Sequence, residues 1–224
     1  MKPHTLLVAW IVIQSAACTN LPLDVDGFPL PTPAQAVVEI PSGAILFQDD
    51  FSSPTTGWER MLAGEGVMDY DGGGFRILVN ALDTNFWSTP GLSFDDVRLE
   101  VDVGKLGGPD ENRIGMICRL SEGNYYFFLV TSDGYSGIGL FNLGQAILLG
   151  QTELQFNERI LQGMTVNHLR ADCQADQLAM YVNGFESLTV HDQTLASGEI
   201  GLMAGTFSEA GVDVIFDNFV ALQP

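Results

Sequence analysis

Glu100 and Asp102 are two carboxylates separated by one residue, in a stretch where charged and apolar side chains alternate. In a β-strand, residues two apart project from the same face, so the two carboxyl groups would be neighbours. A retaining glycosidase needs two carboxyl groups about 5–5.5 Å apart, which makes this pair a candidate nucleophile and acid. The alternative is a solvent-facing strand surface, opposite the apolar phase of Leu99, Val101 and Val103. We favour that alternative.

Catalysis that depends on histidine has little support. The three histidines are His4, His168 and His191, and the sequence contains no Gly-x-Ser-x-Gly nucleophile motif. His168 alternates with Arg170 and Asp172, so we expect it on the surface of a sheet. We therefore assign no catalytic residue.

Two cysteines, Cys118 and Cys173, fall on the apolar phase of their segments. If the domain is exported, as the N-terminal region described below predicts, an even pair of cysteines favours a disulfide. The bridge would close a loop of about 55 residues and would stabilise the fold by a few kcal/mol. Two separate buried thiols are the alternative. A metal role is disfavoured, because no histidine lies at a typical ligand spacing from either cysteine.

Several aromatic and planar polar side chains have the chemistry that binds sugars, by ring stacking and by directed hydrogen bonds. The candidate ligand-binding residues are Trp87, Arg119, Tyr126, Asp133 and Tyr135. Arg119 follows Cys118 and is expected to point away from the core. Asp133-Gly134-Tyr135 predicts a turn that presents a polar group and a ring. Packing of these rings in the core or at its rim is the alternative.

Short apolar segments with a period of two residues run from residue 45 onward, separated by turn signals. Predicted strands include residues 97–103, 114–120, 125–130, 169–173, 178–182, 187–191, 200–204 and 212–222. Asn183-Gly184 predicts a hairpin turn, whereas residues 155–161 fit either a short helix or a loop. These patterns predict an all-β fold of antiparallel strands in two packed sheets.

Several short motifs resemble those of a known superfamily. Asp49-Asp50-Phe51 precedes Trp58, and Phe216-Asp217-Asn218-Phe219 closes the domain. Together with Tyr181-Val182-Asn183-Gly184 and Ile200-Gly201-Leu202, they resemble the concanavalin A-like lectin/glucanase jelly roll, in particular LamG-type and 3-keto-disaccharide-hydrolase-like domains. The resemblance implies a jelly-roll sandwich whose first and last strands pair and whose concave sheet often binds sugar. Lectins, glycosidases and adhesion modules share this fold.

The resemblance also bears on two sets of carboxylates. The stretch that holds Glu100 and Asp102 resembles the catalytic strand of laminarinase-type glycoside hydrolases, but the further Glu of that pattern is replaced by Gly104 or Lys105. If the terminal strands pair, Asp50 and Asp217 become neighbours and form a possible Ca²⁺ site, since Ca²⁺ prefers oxygen ligands. Surface carboxylates beside turns are the alternative. No other cofactor is expected.

The chain is strongly acidic, with 28 Asp and Glu against 9 Lys and Arg and a formal net charge of −19. Nucleic-acid binding depends on neutralising phosphates with basic side chains, so the composition excludes that class of partner. It also disfavours electrostatic docking on anionic lipids. We expect the partner to be a glycan or an extracellular protein.

The N-terminal region has the features of an export signal. Residues 6–13 form an apolar run far shorter than the ~20 residues of a membrane span, and small residues then precede Cys18, as in a secretory signal. The arrangement resembles a bacterial lipobox, with Ser15 in place of the usual Leu. We predict a signal peptide over residues 1–18 with a lipidated Cys18, although ordinary cleavage stays open.

Residues 19–44 hold five of the ten prolines and predict an extended linker, with residues 37–40 as an alternative edge strand. The β-sandwich would then cover residues 45–224. The chain is thus expected to be exported and anchored at the cell surface by lipid. Its predicted role is a non-catalytic module that binds glycan or another extracellular partner. A hydrolase of the 3-keto-disaccharide-hydrolase-like type and a structural envelope domain without a small ligand are the alternatives.

Overall fold

The computed structural model describes residues 40–224, and within that range every regular element is a β-strand. The signal peptide, Cys18 and nearly all of the linker lie outside the described residues. The seventeen strands are β1 (Ile45–Asp49), β2 (Met61–Ala63), β3 (Gly66–Asp71), β4 (Gly74–Val79), β5 (Asn85–Ser88), β6 (Ser93–Phe94), β7 (Val97–Gly107), β8 (Asn112–Ser121), β9 (Asn124–Val130), β10 (Tyr135–Asn142), β11 (Gln145–Leu148), β12 (Gln155–Phe156), β13 (Val166–Gln174), β14 (Gln177–Val182), β15 (Phe185–His191), β16 (Gly198–Thr206) and β17 (Val212–Leu222). No helix capable of crossing a membrane occurs between residues 40 and 224.

The strands form two antiparallel sheets. The nine-stranded sheet has the order β15-β14-β13-β7-β17-β4-β3-β2, with β1 paired to β17. The eight-stranded sheet has the order β11-β10-β9-β8-β16-β5, with β12 beside β10 and β6 beside β16. The all-β, two-sheet sandwich and the pairing of the first and last strands are therefore confirmed.

The hydrophobic core lies between the two sheets and follows the predicted alternation. On β7, Leu99 and Val101 are completely buried, whereas Glu100 and Asp102 face outward and are partly exposed. On β8 of the other sheet, Met116 is completely buried as well. Strands amphipathic at a period of two residues can bury their apolar side only by stacking as layers, which is why this sequence forms a sandwich.

One carboxylate is buried at the start of the domain. Asp49, only 6% exposed, accepts hydrogen bonds from the backbone N–H of Phe51 at 2.8 Å and the indole N–H of Trp58 at 2.9 Å. Thr56 donates a further hydrogen bond to it. Trp58 in turn packs edge-on against Phe219, with ring centroids 5.0 Å apart. The Asp49-Asp50-Phe51…Trp58 motif therefore joins the first strand to the last.

The disulfide predicted between Cys118 and Cys173 is confirmed. Cys118 lies on β8 and Cys173 on β13, so the bridge crosses the core and joins the two sheets. Both residues are completely buried.

The turns agree with the sequence in one place and differ from it in another. Asn183 and Gly184 have φ values of 50° and 82°, and they join β14 to β15 in the predicted hairpin. For residues 155–161, neither predicted alternative is complete. Gln155 and Phe156 form the short strand β12 against Ser136 and Tyr135, and a loop follows them.

Candidate functional site

A second apolar cluster lies on the outer face of the eight-stranded sheet, away from the core between the sheets. Its buried members are Ile117, Tyr125, Phe127, Leu129 and Met203. Partly buried side chains surround them: Trp87, Leu120, Phe141, Leu148 and Leu154. Outer faces of antiparallel sheets are normally polar, so this aromatic outer face is a candidate binding surface.

Glycines on the same face make room for these side chains. A Cβ atom on Gly139 would lie 2.1 Å from the ring of Phe127 and 2.5 Å from the carbonyl oxygen of Ile147. A Cβ atom on Gly137 would lie 2.6 Å from a methyl carbon of Leu154. Because β10 carries no side chains at these positions, neighbouring side chains can lie across it. The strand thus forms a flat floor for the surface.

Tyr125 is the central ring of this face. Its ring stacks on Phe141 with centroids 5.2 Å apart and planes at 14°, and Trp87 lies on another side at 5.6 Å. The residue is only 2% exposed. Its hydroxyl makes no hydrogen bond to any group in residues 40–224. In that part of the chain, every polar side-chain atom that is fully buried does have a hydrogen-bond partner. The hydroxyl oxygen must therefore reach open space.

Tyr125 opens into a cleft of about 490 Å³, which we call the aromatic cleft. Its lining includes Asp83, Asn85, Arg113, Phe127, Phe141, Leu154, Met203 and Phe207. Arg113 donates hydrogen bonds to Oδ1 of Asn85 at 3.1 Å and Oδ1 of Asp83 at 2.8 Å, and its guanidinium lies 4.1 Å from the centroid of Phe207. Burial raises the pKa of Tyr125 and the charge of Arg113 partly opposes that shift.

Two further clefts adjoin the aromatic cleft. A cleft of about 280 Å³, here the Tyr135 cleft, is lined by Glu111, Thr131, Asp133 and Tyr135, and it shares Leu154 and Phe207 with the aromatic cleft. A third cleft of about 630 Å³, here the Trp87 cleft, is lined by Trp87, Thr89, Glu59, Glu122 and Glu199, among others. Because Trp87 also contacts Tyr125, the three clefts follow one another across the face of the sheet.

Three of the five predicted ligand-binding residues line these clefts. Trp87 lies at one end, and Asp133 and Tyr135 lie together at the other. Asp133 accepts a hydrogen bond from the Thr131 hydroxyl, and the Tyr135 ring packs edge-on against Phe156 at 5.7 Å. Their role in binding stays a prediction.

The expected outward orientation of Arg119 is wrong. Its side chain is 2% exposed and donates to three backbone carbonyl oxygens, those of Asp95, Ala175 and Leu195, each at 2.9 Å. A bulge between Cys118 and Ser121 displaces it from the regular alternation of β8, and its φ is 54°. The guanidinium therefore holds three loops together and cannot contact a ligand on the outer face.

Tyr126 also belongs to the core instead of the outer face. It is completely buried, its hydroxyl donates to Asp192, and it accepts a hydrogen bond from the backbone N–H of Leu195 at 3.0 Å. Burial, with the hydrogen bond to Asp192, raises the pKa of Tyr126 to about 12. Residues 125–128 are aromatic on both phases of the strand, and the phase of Tyr125 and Phe127 is the outer one.

The residues that sequence reasoning missed are Asn85, Arg113, Tyr125, Phe127 and Phe141. One signal that points to this face is the glycine pattern, because Gly115, Gly137, Gly139, Gly201 and Gly205 all lie on it. Gly139 lies directly opposite Phe127, and the missing side chain leaves room for that ring.

The outer face of the nine-stranded sheet carries Glu100 and Asp102 on one side of β7, as predicted. His168 lies across from Asp102, with Nδ1 2.8 Å from its Oδ1, and its Nε2 is 3.7 Å from Glu100. Arg98 and Arg170 both pair with Asp172. Burial would raise the pKa of Asp172, but hydrogen bonds from these two arginines lower it further than that. The charged groups are thus paired with one another.

The Ca²⁺ hypothesis finds no metal cluster to support it. β1 and β17 pair, but Asp50 lines a depression with Gln48 and Thr56, whereas Asp217 lines another with Asp102. Within residues 40–224, no group of three or more His, Cys, Asp or Glu side chains is arranged to hold a metal ion. Asp50 instead accepts hydrogen bonds from the Ser52 side chain and backbone, which lower its pKa.

Comparison with known proteins identifies the fold alone. No family model matches the sequence, and comparison with curated proteins finds no match. The carbohydrate-binding module CBM66 from Bacillus subtilis superposes with a TM-score of 0.59 at 18% identity, over 74% of this chain and 95% of that chain. A B. subtilis protein of unknown function with a galectin-like fold gives 0.60 at 13% identity, over 82% and 97%.

A GlcNAcα1-4Gal-releasing endo-β-galactosidase from Clostridium perfringens gives a TM-score of 0.59 at 9% identity, over 84% of this chain and 65% of that chain. Identities this low do not carry function from one chain to another. Residues 40–224 therefore have the galectin-like jelly-roll fold.

Proposed function

We propose that the β-sandwich is a glycan-binding module and that the glycan occupies the aromatic cleft. In this proposal the domain performs no catalysis. A signal peptide and lipidated Cys18 place it at the cell surface, with residues 19–44 as the tether.

The Tyr125 hydroxyl is the observation that carries the proposal. It is a polar group at the tip of a buried ring, it has no hydrogen-bond partner among residues 40–224, and it opens into a cleft lined by rings. Sugars present apolar C–H faces that pack on rings and hydroxyl groups that pair with planar polar side chains. Phe141 and Trp87 supply rings, while Arg113 and Asn85 supply the polar edge.

The structural neighbours agree with this choice. The name of the B. subtilis module states that it binds carbohydrate, and that of the C. perfringens enzyme states that it releases GlcNAcα1-4Gal. The likeness supports a glycan as the class of ligand to test first.

The test is a glycan panel followed by calorimetric titration of the best ligand with the Tyr125→Phe variant. The variant keeps the ring and removes the hydroxyl, so we expect affinity to fall roughly five- to tenfold, the effect of one lost hydrogen bond. Tyr181→Phe is the matched control, because Tyr181 lies on the other sheet against Arg170. Equal affinity in both variants contradicts the proposal. Absence of binding to any glycan favours a structural envelope domain.

A second candidate function, glycoside hydrolysis, rests on the Trp87 cleft. Glu59, Glu122 and Glu199 line it beside an aromatic ring, and the Thr89 hydroxyl donates to Glu199 at 2.6 Å. A pair of carboxyl groups is what a glycosidase requires. Release of new reducing ends from the bound glycan, abolished by Glu199→Gln or Glu59→Gln, would establish hydrolysis and would displace the non-catalytic proposal.

A further inference from the structure

Charged side chains around the aromatic cleft limit the glycans that it can accept. Arg113 is the one basic residue that lines the aromatic, Tyr135 and Trp87 clefts, as far as residues 40–224 define them. Six carboxylates line the same three clefts: Asp83, Glu111, Asp133, Glu59, Glu122 and Glu199. The surface on which a glycan chain would lie is therefore predominantly negative.

Arg113 does not offer a free charge to balance them. Its two terminal nitrogens donate to Asn85 at 3.1 Å and to Asp83 at 2.8 Å, and the ring of Phe207 covers one face of the guanidinium. Each terminal nitrogen carries two hydrogens, so each keeps an N–H that can donate to a sugar hydroxyl. An anionic sugar would have to compete with Asp83 for the same cation. Arg113 is therefore suited to uncharged acceptors.

The three clefts are also neighbours, so a chain of several sugars that occupied all of them would extend across the face of the sheet. Leu154 and Phe207 line both the aromatic cleft and the Tyr135 cleft, and Trp87 links Tyr125 to the third cleft. A chain that extended either way from Tyr125 would pass Glu111 and Asp133 at one end and the glutamates beside Trp87 at the other. Repulsion of a polyanion would therefore add up along the chain.

We infer, on the basis of the proposed glycan binding, that the ligand is a glycan chain without carboxylate or sulfate groups. Affinity for one sugar backbone is higher in its neutral form than in its anionic form. The preference arises from repulsion of anions by the six carboxylates, and specificity of this kind depends on excluding competitors as much as on attracting the ligand.

The test uses one polysaccharide backbone in three forms, of which two are neutral and one is anionic. A neutral polysaccharide that binds the protein is oxidised at its primary alcohols to carboxylates, and part of that product is methyl-esterified to remove the charge. We expect oxidation to weaken binding by at least about tenfold and esterification to restore it. Because the Debye length falls to about 3 Å at 1 M salt, high salt should reduce the difference between the oxidised and neutral forms.

A charge variant locates the effect. Asp83→Asn removes the carboxylate that pairs with Arg113, and asparagine tolerates the positive φ of 45° at this position. We expect this variant to bind the oxidised polymer several-fold more tightly than the parent protein does. Asp71→Asn is the matched control, since Asp71 is likewise exposed and pairs with Arg76 at 3.3 Å on the other sheet. It should leave the discrimination unchanged.

The outcomes separate this inference from the proposed function. Equal or tighter binding of the oxidised polymer, or a panel in which only anionic polysaccharides bind, overturns the charge selection while glycan binding stands. The same effect of Asp83→Asn and Asp71→Asn also overturns it, because the discrimination would then come from the net charge of the chain. If no glycan binds, the proposed function fails and this inference fails with it.

Discussion

The outer faces of the two sheets are built by the same alternation of inward and outward residues, but one face is charged and the other is aromatic. On the nine-stranded sheet, the outward residues Arg98 and Asp172 carry charges and pair with each other, and His168 makes a hydrogen bond with Asp102. On the eight-stranded sheet, the outward residues include Tyr125 and Phe127, and the Tyr125 hydroxyl, without a partner in residues 40–224, opens into a cleft. The same backbone geometry thus supports both faces, and the side chains alone decide which of them is suited to a ligand.

This contrast also shows why carboxylates by themselves are a poor guide to a site. Glu100 and Asp102 have the spacing of a catalytic carboxylate pair. In the structure, however, His168 lies beside both of them, and Asn218 donates a hydrogen bond to Asp102. A polar group whose bonds are already made has little to offer a ligand. Tyr125 looks like a core residue in the sequence, yet its hydroxyl makes no hydrogen bond to any group in residues 40–224 and keeps its bonding capacity.

The largest expected effect tests whether both faces depend on one core. Replacing Cys118 and Cys173 together by alanine removes the bridge between the sheets, and we expect the free energy of unfolding to fall by about 2–5 kcal/mol. Urea denaturation measures this loss. Glycan affinity below the transition should stay close to that of the parent protein, because neither cysteine lines the aromatic cleft. If glycan affinity fell together with the free energy of unfolding, the outer face of the eight-stranded sheet would depend on the disulfide.

The second prediction compares one glycine on each outer face. Gly139→Ala places a Cβ atom 2.1 Å from the Phe127 ring, so overpacking should cost about 1–3 kcal/mol and distort the cleft floor. We expect glycan binding to be lost. Gly104→Ala on the nine-stranded sheet meets nothing nearer than Val166 at 3.4 Å and should affect neither property. Titration and thermal unfolding of both variants decide the matter; similar behaviour would remove the distinction between the faces.

The third prediction concerns the charged face and acid. Because the folded-state pKa of Asp172 is lowered, its contribution to stability is present above the unfolded value and is lost as the pH falls through the folded value. We expect a decrease of no more than about 1 kcal/mol below about pH 4, after allowance for solvent screening. The Asp172→Asn variant should lack that part of the pH dependence in denaturant titrations. An unchanged acid profile would show that the arginine pairs contribute nothing to stability.

The smallest effect is expected from alkaline titration of the aromatic face. Burial raises the pKa of Tyr125, so its hydroxyl should stay mostly protonated and bind glycan even at about pH 10, where an ordinary tyrosine is half ionised. Calorimetry from about pH 6 to about pH 10 measures the affinity directly. A decrease centred on about pH 10 would show that the phenol ionises as an ordinary exposed tyrosine does, and it would contradict the buried position of Tyr125.

Much of the fold follows from local pattern. Alternation located the strands at residues 97–103 and 178–182, and Asn183-Gly184 located a hairpin, because the period of a strand and the φ values of a tight turn are properties of a few consecutive residues. The short strand β12 was not predicted. Two residues carry no periodic signal, and their pairing with Ser136 and Tyr135 is supplied by a strand distant in sequence.

The candidate site could be predicted only in part. The chemistry of the side chains correctly indicated three residues that line the clefts: Trp87, Asp133 and Tyr135. The prediction for Arg119 was wrong, because a bulge shifts the alternation of β8 and turns this side chain inward. Periodicity gives two faces for each strand but does not say which of them meets the opposite sheet. For Tyr125 and Tyr126, both faces are aromatic, so the pattern alone gives no choice.

The sequence by itself determined that this chain forms a two-layer β-sandwich with an acidic surface, because alternation and charge are read directly from residue types. Only the tertiary structure decided that Tyr126 points into the core and that Tyr125 lies on the outer face of the sheet. It also decided that Arg113 makes hydrogen bonds with Asp83 and Asn85 in the same cleft as Tyr125. The physical reason is that a binding surface consists of side chains from strands far apart in sequence. Their hydrogen bonds are complete or incomplete only after those strands have come together.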